Sequence, residues 1–511
     1  MSTVAGRFVS VVLAGSVAGL AAATPPGHGD ASATVGRSML SAVGVLAAAS
    51  ERGLDPADYD APGLMARAAA ARSDEERARA VEAIEAAVRR FLGDLGGGRV
   101  EPRARGLLVD GPPPPPDLDA LVRAVAAGED LRSIAASLEP RHPAYPRLAA
   151  ALARWSARAA APEPPGVPIA PRVKPGSAWD LEAWEGAPAL RARLAWLGEP
   201  GASGSPDGLP LSEALRRFQA RHGIGVDGVP GARTVAALGV PASRRVKQIE
   251  LAMERLRWLP PPGRRLVHVE VPRAMLWALD LERPGLDIAI AMRLVVGAAP
   301  EHATPMLASR ITIVVFRPFW MPTRQIVLEE ILPRERSKPG WLAAHGMEIV
   351  ASGEADAAVF EPDEANLDAV ARGRLTIRQR PGPRNDLGPV KFVVPNPSCI
   401  RLHGTPYRRL FDRPRRDRSH GCVRLEDPMA LAAWVLRGQD GWDRERAEAA
   451  IQRAVPTSVR LREPVDLAVT YATASVDPDG TEHFLDDIYG LDAALEKVLA
   501  ERQARERQAR P

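Results

Sequence analysis

The residues best suited to covalent chemistry lie between His403 and Pro428, where Cys422 ends a Ser419-His420-Gly421-Cys422 turn nineteen residues after His403. A thiol attacks only as thiolate, and a nearby imidazole is the commonest group to lower its pKa or take its proton. His403 and His420 are both candidates for that imidazole. An isolated cysteine is more often a small buried hydrophobe, but the context here argues against that reading. Gly421 permits a tight bend just before Cys422, and a nucleophile on such a turn leaves backbone N–H groups free for an oxyanion.

These residues need elements to position them. Lys391-Phe392-Val393-Val394 and Ser398-Cys399-Ile400-Arg401-Leu402 alternate as strands around a Pro395-Asn396-Pro397 turn, which puts His403 at a strand end. Val423-Arg424-Leu425 resumes an extended pattern, and Asp427-Pro428 opens a helix. Two-residue alternation at Leu266–Val271 and Ile311–Phe316 predicts further strands of a mostly β domain. A polar, helical stretch interrupts the strands between Pro322 and Gly388, with Trp320 and Trp341 read as core anchors and the lining of a substrate groove as the alternative.

The N-terminal half is helical by its spacing. Ser73 to Glu76 forms a capping box, Val81, Ile84, Val88 and Leu92 recur on one face, and Gly96-Gly97-Gly98 ends the segment. Pro112–Pro116 is a stiff connector, and a proline-rich linker over 161–178 marks a domain boundary. Short amphipathic helices follow at Leu190–Leu194, Leu211–Gln219 and from Ala232, with Phe218, Val226 and Leu238 expected in their core. His222 has no histidine or cysteine at ligand spacing, so a metal site there is not expected.

The run from His403 resembles the L,D-transpeptidases with a YkuD-type catalytic domain, in particular the large YcbB-like members. Their HG and S-H-G-C-V/I-R positions are all present. Pro381–Gly388 leading into Lys391-Phe392, Met253–Pro260, and Thr473–Asp477 with Asp487–Tyr489 resemble flanking pieces of the same subgroup. Phe218-Gln219, His222-Gly223, Val226-Asp227-Gly228, Gly231 and Thr234 resemble a peptidoglycan-binding helical repeat. Gly53–Tyr59 and His142–Tyr145 resemble the subgroup's scaffold domain. Arg317-Pro318-Phe319-Trp320 departs from the family's Asn-Pro-Tyr-Trp, which touches the entry to the insertion rather than the nucleophile.

The resemblance implies a multidomain α+β chain: signal peptide 1–23, helical scaffold 38–160, linker 161–178, peptidoglycan-binding-like helices 179–240, a YkuD-type catalytic domain 265–465 with a helical capping insertion over 322–388, and a closing hairpin and C-terminal helix over 466–511. It implies Cys422 as nucleophile and His403 as base, with Gly404, Ser419, His420, Gly421 and Arg424 in support. The oxyanion would rest on the Gly421 and Cys422 N–H groups, and the Gly404 carbonyl would orient His403. Arg424 either binds a substrate carboxylate or pairs within the fold. The donor would be a tetrapeptide stem that loses D-Ala, the acceptor a diaminopimelate-bearing stem, and carbapenem β-lactams would inhibit. No cofactor or metal is required. An L,D-carboxypeptidase using the same cysteine and a non-catalytic wall-binding scaffold are the alternatives, and a zinc site of His403, His420 and Cys422 is a weaker one.

Charge and composition are compatible with this. The chain has 511 residues and a net charge of +4, which gives no general reason for nucleic-acid or membrane-surface binding. Arg408, Arg409, Arg413, Arg415, Arg416 and Arg418 cluster between the motif halves, either as a solvated loop or as a basic rim for stem-peptide carboxylates. The apolar run after Arg7, ending in Ala21-Ala22-Ala23 before Pro25-Pro26, reads as an export signal cleaved near Ala23, with an uncleaved anchor as the alternative. With only Cys399 and Cys422, a disulfide scaffold is excluded, and Cys399 is expected to be a buried, inert strand residue, with an oxidised resting form that pairs it with Cys422 as the alternative.

Overall fold

The computed structural model of the protein describes residues 29–102, 114–171, 173, 179–199, 210–282, 287–439, 441–453 and 455–508. The expected signal segment lies outside them, as does part of each proline-rich connector. Among the described residues no helix is long and apolar enough to cross a membrane.

Helices build the N-terminal region. Asp74–Gly97 starts at the Ser73/Glu76 capping box and stops at Gly98, as its spacing predicts. Its Ile84, Val88, Phe91 and Leu92 pack with Met39, Leu46 and Tyr59 in one core that extends to Ala135. The later helix Ala144–Ala159, placed with the scaffold by sequence, shares a second core with Leu190, Leu215, Phe218 and Leu256. The linker is docked on the same body: Val167 and Ala170 are buried, and Glu163 accepts hydrogen bonds from the Ala242 N–H and Arg193.

One expected core residue is outside. Gln219, fully buried, donates to Asp227 Oδ1 and the Val229 carbonyl and accepts from the Asp227 and Gly228 N–H groups. This amide pins the Val226–Val229 turn so that Val226 faces solvent, 52% exposed, while Phe218 and Leu238 are buried.

A buried ionic joint links these helices to the rest. Glu254 takes Arg99 and Arg257, Arg257 also reaches the Arg52 carbonyl and Tyr145, and Arg255 pairs with Asp492. Removing one member of such a network strands the others without solvent, which is costly.

The main sheet contains β1 (Arg265–Glu270), β2 (Met275–Asp280), β3 (Asp287–Gly297) and β4 (Leu307–Phe316). A small sheet of β5 (Met347–Val350), β6 (Val359–Phe360) and β7 (Thr376–Gln379) follows within the insertion. The main sheet resumes with β8 (Val390–Val393), β9 (Leu402–His403), β10 (Asp417–Ser419), β11 (Val423–Leu425) and β12 (Thr457–Thr470). Its order is β10-β3-β11-β9-β8-β4-β12-β1-β2, and β2 also pairs with β3, which closes the sheet into a barrel. The barrel core runs through Val267, Leu294, Val314, Phe392, Leu402, Val423 and Leu467. The expected division between 465 and 466 falls inside β12, which pairs β1 and β4 as one strand, so the sheet runs on to Thr470. The hairpin β13 (Ala474–Val476) with β14 (Glu482–Phe484) and the helix Leu491–Gln508 close the chain.

The insertion is not purely helical. Helical turns over 324–337, including a π-helical turn at Val327–Ile331, and the helix Glu364–Ala371 pack on the three-stranded sheet around Ile331, Leu342, Ile349 and Ile377. The four-residue strands are too short for alternation to separate them from helix by sequence. Trp320 and Trp341 pack on this core half-buried, and Trp320 exchanges backbone hydrogen bonds with Gln379.

Candidate functional site

The barrel's alternation sorts the candidate residues onto one face. β8 and β9 are antiparallel with Lys391 opposite His403, and β9 and β11 are parallel with Arg424 opposite His403. Phe392, Leu402, Val423 and Leu425 turn into the core. Lys391, His403 and Arg424 therefore share the other face, and Cys422, two residues before Arg424, lies on it too.

His403 is buried, and its Nδ1 lies 2.6 Å from the Gly404 carbonyl oxygen. A carbonyl only accepts, so Nδ1 carries the proton and Nε2 is left as the basic lone pair. Burial, reinforced by Arg424, pushes the imidazole down to about 3, so the ring is neutral at physiological pH. The Cys422 thiol is half-buried, and burial raises it above the ordinary thiol range against the opposing pull of the Arg401 N–H. The resting pair is therefore a neutral thiol and a neutral imidazole, not an ion pair. Sγ makes no hydrogen bond to His403 in this state; contacts of this kind commonly tighten only when substrate binds.

The turn carrying Cys422 is braced on both sides. Ser419 Oγ donates to the Cys422 carbonyl at 2.6 Å and accepts the Gly421 N–H at 3.2 Å. Gly421 has φ of +103°, a conformation that side-chain-bearing residues avoid. Thr304, which sequence reasoning passed over, donates Oγ1 to the Gly421 carbonyl at 2.7 Å and accepts the Gly297 N–H at 2.8 Å. Tyr489 adds a tie from the closing segment to the Gly297 carbonyl at 2.6 Å. Because the Gly421 N–H is engaged by Ser419, the oxyanion expectation changes: the Cys422 N–H is the donor left without a hydrogen bond among the described residues. Thr304 sits in His302-Ala303-Thr304-Pro305, whose only sequence signal is a polar residue before proline.

The other histidine of the motif has a different place. His420 is 41% exposed, and its Nε2 lies 2.7 Å from Glu330 of the π-helical turn, so it joins the turn that carries Cys422 to the insertion. His302 packs beside it with ring centroids 4.6 Å apart. Glu330 was not foreseen either; it is one of many charges on a helix until the fold brings it to the turn. Arg424 has no ion pair among the described residues, and its buried Nε has no hydrogen-bond partner. Its guanidinium stands 5.8 Å from the centre of the Tyr407 ring and interacts favourably with the Asp386 carboxyl.

Two expectations are corrected. Cys399 is exposed in a turn with φ of +54°, not buried in a strand. Asn396 holds the Val394 and Ile400 carbonyls and the Ile400 N–H, which folds the intervening residues into a loop. The arginine cluster is not uniformly a solvated rim. Arg416 donates to the Leu294, Arg273, Ala274 and Arg413 carbonyls, Arg408 to the Glu426 carbonyl, and Arg415 pairs with Asp417. Among the described residues no group of three or more His, Cys, Asp and Glu side chains converges as a metal site. Arg317, where the resemblance leads one to expect asparagine, has φ of +51°, a region asparagine occupies more readily.

The barrel carries a thiol and a tautomer-locked imidazole on one face. Residues 264–449 match the family described as L,D-transpeptidase catalytic domain, YkuD; the chain carries that domain. Residues 32–152 match a family described as Scaffold domain, and residues 185–238 one described as "Putative peptidoglycan binding domain". A Haemophilus influenzae protein described as "Putative L,D-transpeptidase" is 28% identical over 260 residues, covering 50% of this chain and 51% of that protein. The match thus spans about half the length of the curated relative.

Proposed function

We propose that the chain is an exported peptidoglycan L,D-transpeptidase of the YcbB-like kind that joins third residues of stem peptides through a thioester on Cys422. The observation that carries this reading is the Nδ1–H of His403 bound to the Gly404 carbonyl, which leaves Nε2 basic on the face that also bears Cys422. Sγ attacks the carbonyl between the third stem residue and the terminal D-Ala while Nε2 takes the thiol proton. The oxyanion is stabilised first by the Cys422 N–H. Collapse breaks the peptide bond, Nε2 returns the proton to the leaving amine, and D-Ala departs. The side-chain amine of an acceptor diaminopimelate then attacks the thioester, loses its proton to Nε2, and expels the thiol.

A proton transferred to a buried imidazole creates a charge there, and Arg424 opposes it. That cost is offset if a substrate carboxylate sits on Arg424, whose guanidinium has no carboxylate partner of its own within ion-pair distance among the described residues. Substrate binding and base function are coupled through this pair.

The test is intact mass of wild type and Cys422→Ala after incubation with tetrapeptide muropeptides and, separately, a carbapenem. An adduct on wild type alone, with released D-Ala and cross-linked dimers, supports the reading. Tripeptide product without dimers shifts it to an L,D-carboxypeptidase, and neither adduct nor product leaves a wall-binding scaffold.

A further inference from the structure

The barrel register sets the charged side chains around Cys422 and His403 on a grid. Across the sheet, Arg424 on β11, His403 on β9 and Lys391 on β8 stand opposite one another, so His403 has a cation one strand spacing, about 4.8 Å, to each side. Two residues earlier along β9 and β11, Arg401 stands opposite Cys422, and the Val423 N–H donates to the Arg401 carbonyl at 2.9 Å. Arg401 thus shares the face of His403 by alternation. After burial itself, the charges of Arg424, Lys391 and Arg401 all push the His403 imidazole down.

Lys391 and Arg401 have no counter-charge of their own. Lys391 is half-buried and Arg401 exposed, and neither has an ion pair among the described residues. The Arg401 side chain reaches the Cys399 carbonyl at 3.5 Å, a long bond at best. Burial, and then the charge of Arg401, hold the Lys391 ammonium below the ordinary lysine range, and a carboxylate between the two cations relieves that repulsion.

The two sides of His403 differ in access. Arg424 stands beside Tyr407 and Asp386, and His345 and Glu330 of the insertion act on the same Asp386 carboxyl. Lys391 and Arg401 lie on the other side, next to the exposed residues 397–399. In a thioester mechanism the acyl half stays on Cys422 while the amine half is exchanged, so the open side suits the part that leaves and is replaced. Both amine partners have the same chemistry: D-Ala departs, and the diaminopimelate centre arrives, with an amine and a carboxylate on one carbon. One imidazole nitrogen serves both amines, so both carboxylates fall in the same place.

On the transpeptidase reading above, we propose that Lys391 and Arg401 bind the carboxylate of the amine-side group, first that of the departing D-Ala and then that of the acceptor centre. The pair thereby selects reactants whose carboxylate is free over those in which it is amidated or esterified.

The full chain is acylated with a carbapenem, whose ring carboxylate is on the carbon next to the leaving nitrogen, and with the methyl ester of that carboxylate, the rates being read by intact mass. Wild type is expected to favour the acid about tenfold, as one charge-assisted hydrogen bond allows. The acid-to-ester ratio is expected to fall toward one in Lys391→Gln with Arg401→Gln and to be largely kept in Arg401→Lys. Arg401→Gln alone, at an exposed side chain, guards against misfolding of the double variant and is expected to lower the ratio several-fold. The acyl-enzyme formed from a tetrapeptide donor is then offered an acceptor stem with its carboxylate free or amidated, and the preference for the free acid is expected to vanish in the double variant. A wild-type ratio near one overturns the pair, as does a ratio that the variants leave unmoved while both rates fall together. An acceptor preference that persists in the double variant overturns the shared use of the site. Acylation of wild type with a ratio unmoved by the variants overturns the pair alone, whereas no acylation and no release of D-Ala overturn the transpeptidase reading and the pair with it.

Discussion

Thr304 Oγ1 donates to the Gly421 carbonyl at 2.7 Å, and through this bond the turn that carries Cys422 is tied to the end of β3. Both partners of that hydroxyl are backbone groups with little access to water. Replacing Thr304 by valine keeps the shape and strands a carbonyl and an N–H, a loss of about 1–3 kcal/mol for each buried group left unpaired. Thr304→Val is expected to lower thermal stability measurably and slow carbapenem acylation, whereas Thr304→Ser retains both. An acylation rate in Thr304→Val equal to wild type would show that the turn holds its geometry without this bond.

The neutral resting pair has a consequence for pH. Because burial raises Cys422 above the ordinary thiol range, its alkylation by iodoacetamide should climb only in clearly alkaline solution, and later than that of exposed Cys399. Mass-mapped labelling from pH 6 to about 10.5 distinguishes the two sites, and rapid labelling of Cys422 at neutral pH would indicate a thiolate–imidazolium pair instead.

His403 also affects stability. Its folded pKa of about 3 is below its ordinary 6.5, so the unfolded chain takes up a proton first as pH falls. The contribution is fully present above pH 6.5 and is lost as pH falls toward 3. His403→Gln should therefore show a shallower decline of urea midpoint with acid than wild type over that window. Identical slopes would mean that His403 titrates normally in the folded protein.

Arg416 and Arg418 are near neighbours with opposite roles. Arg416 donates to four backbone carbonyls, whereas Arg418 is exposed. Hydrogen bonds from a charged group are worth about 1.5–3 kcal/mol each. Arg416→Ala is expected to lower the unfolding temperature by several degrees and Arg418→Ala to leave it unchanged. Equal effects by calorimetry would argue that the whole loop is surface.

The contact between His420 and Glu330 joins the insertion to the Cys422 turn at a partly exposed position, worth at most about 1 kcal/mol. Glu330→Gln should raise KM for muropeptide donors a few-fold with little change in kcat. A fall in kcat with unchanged KM would place Glu330 in the chemical step.

The sequence by itself determined the strand that Lys391 to Val393 occupy, the turn at Gly421, the capped helix from Asp74 and the resemblance to a cysteine acyltransferase. All of these are local: a spacing, an alternation or a glycine at one bend specifies them. Tertiary structure decided which groups those elements meet. Thr304 and Glu330 are remote in sequence from Cys422, and only the β3 end and the insertion bring them to its turn. Val226 is exposed because Gln219 uses its amide to hold the adjoining turn, a choice that apolar periodicity does not encode. Cys399 leaves its expected strand because Asn396 satisfies backbone groups that a sheet neighbour would otherwise have paired. Likewise the arginine cluster divides into structural and free members according to which carbonyls and carboxylates the barrel presents, and those partners come from distant parts of the chain.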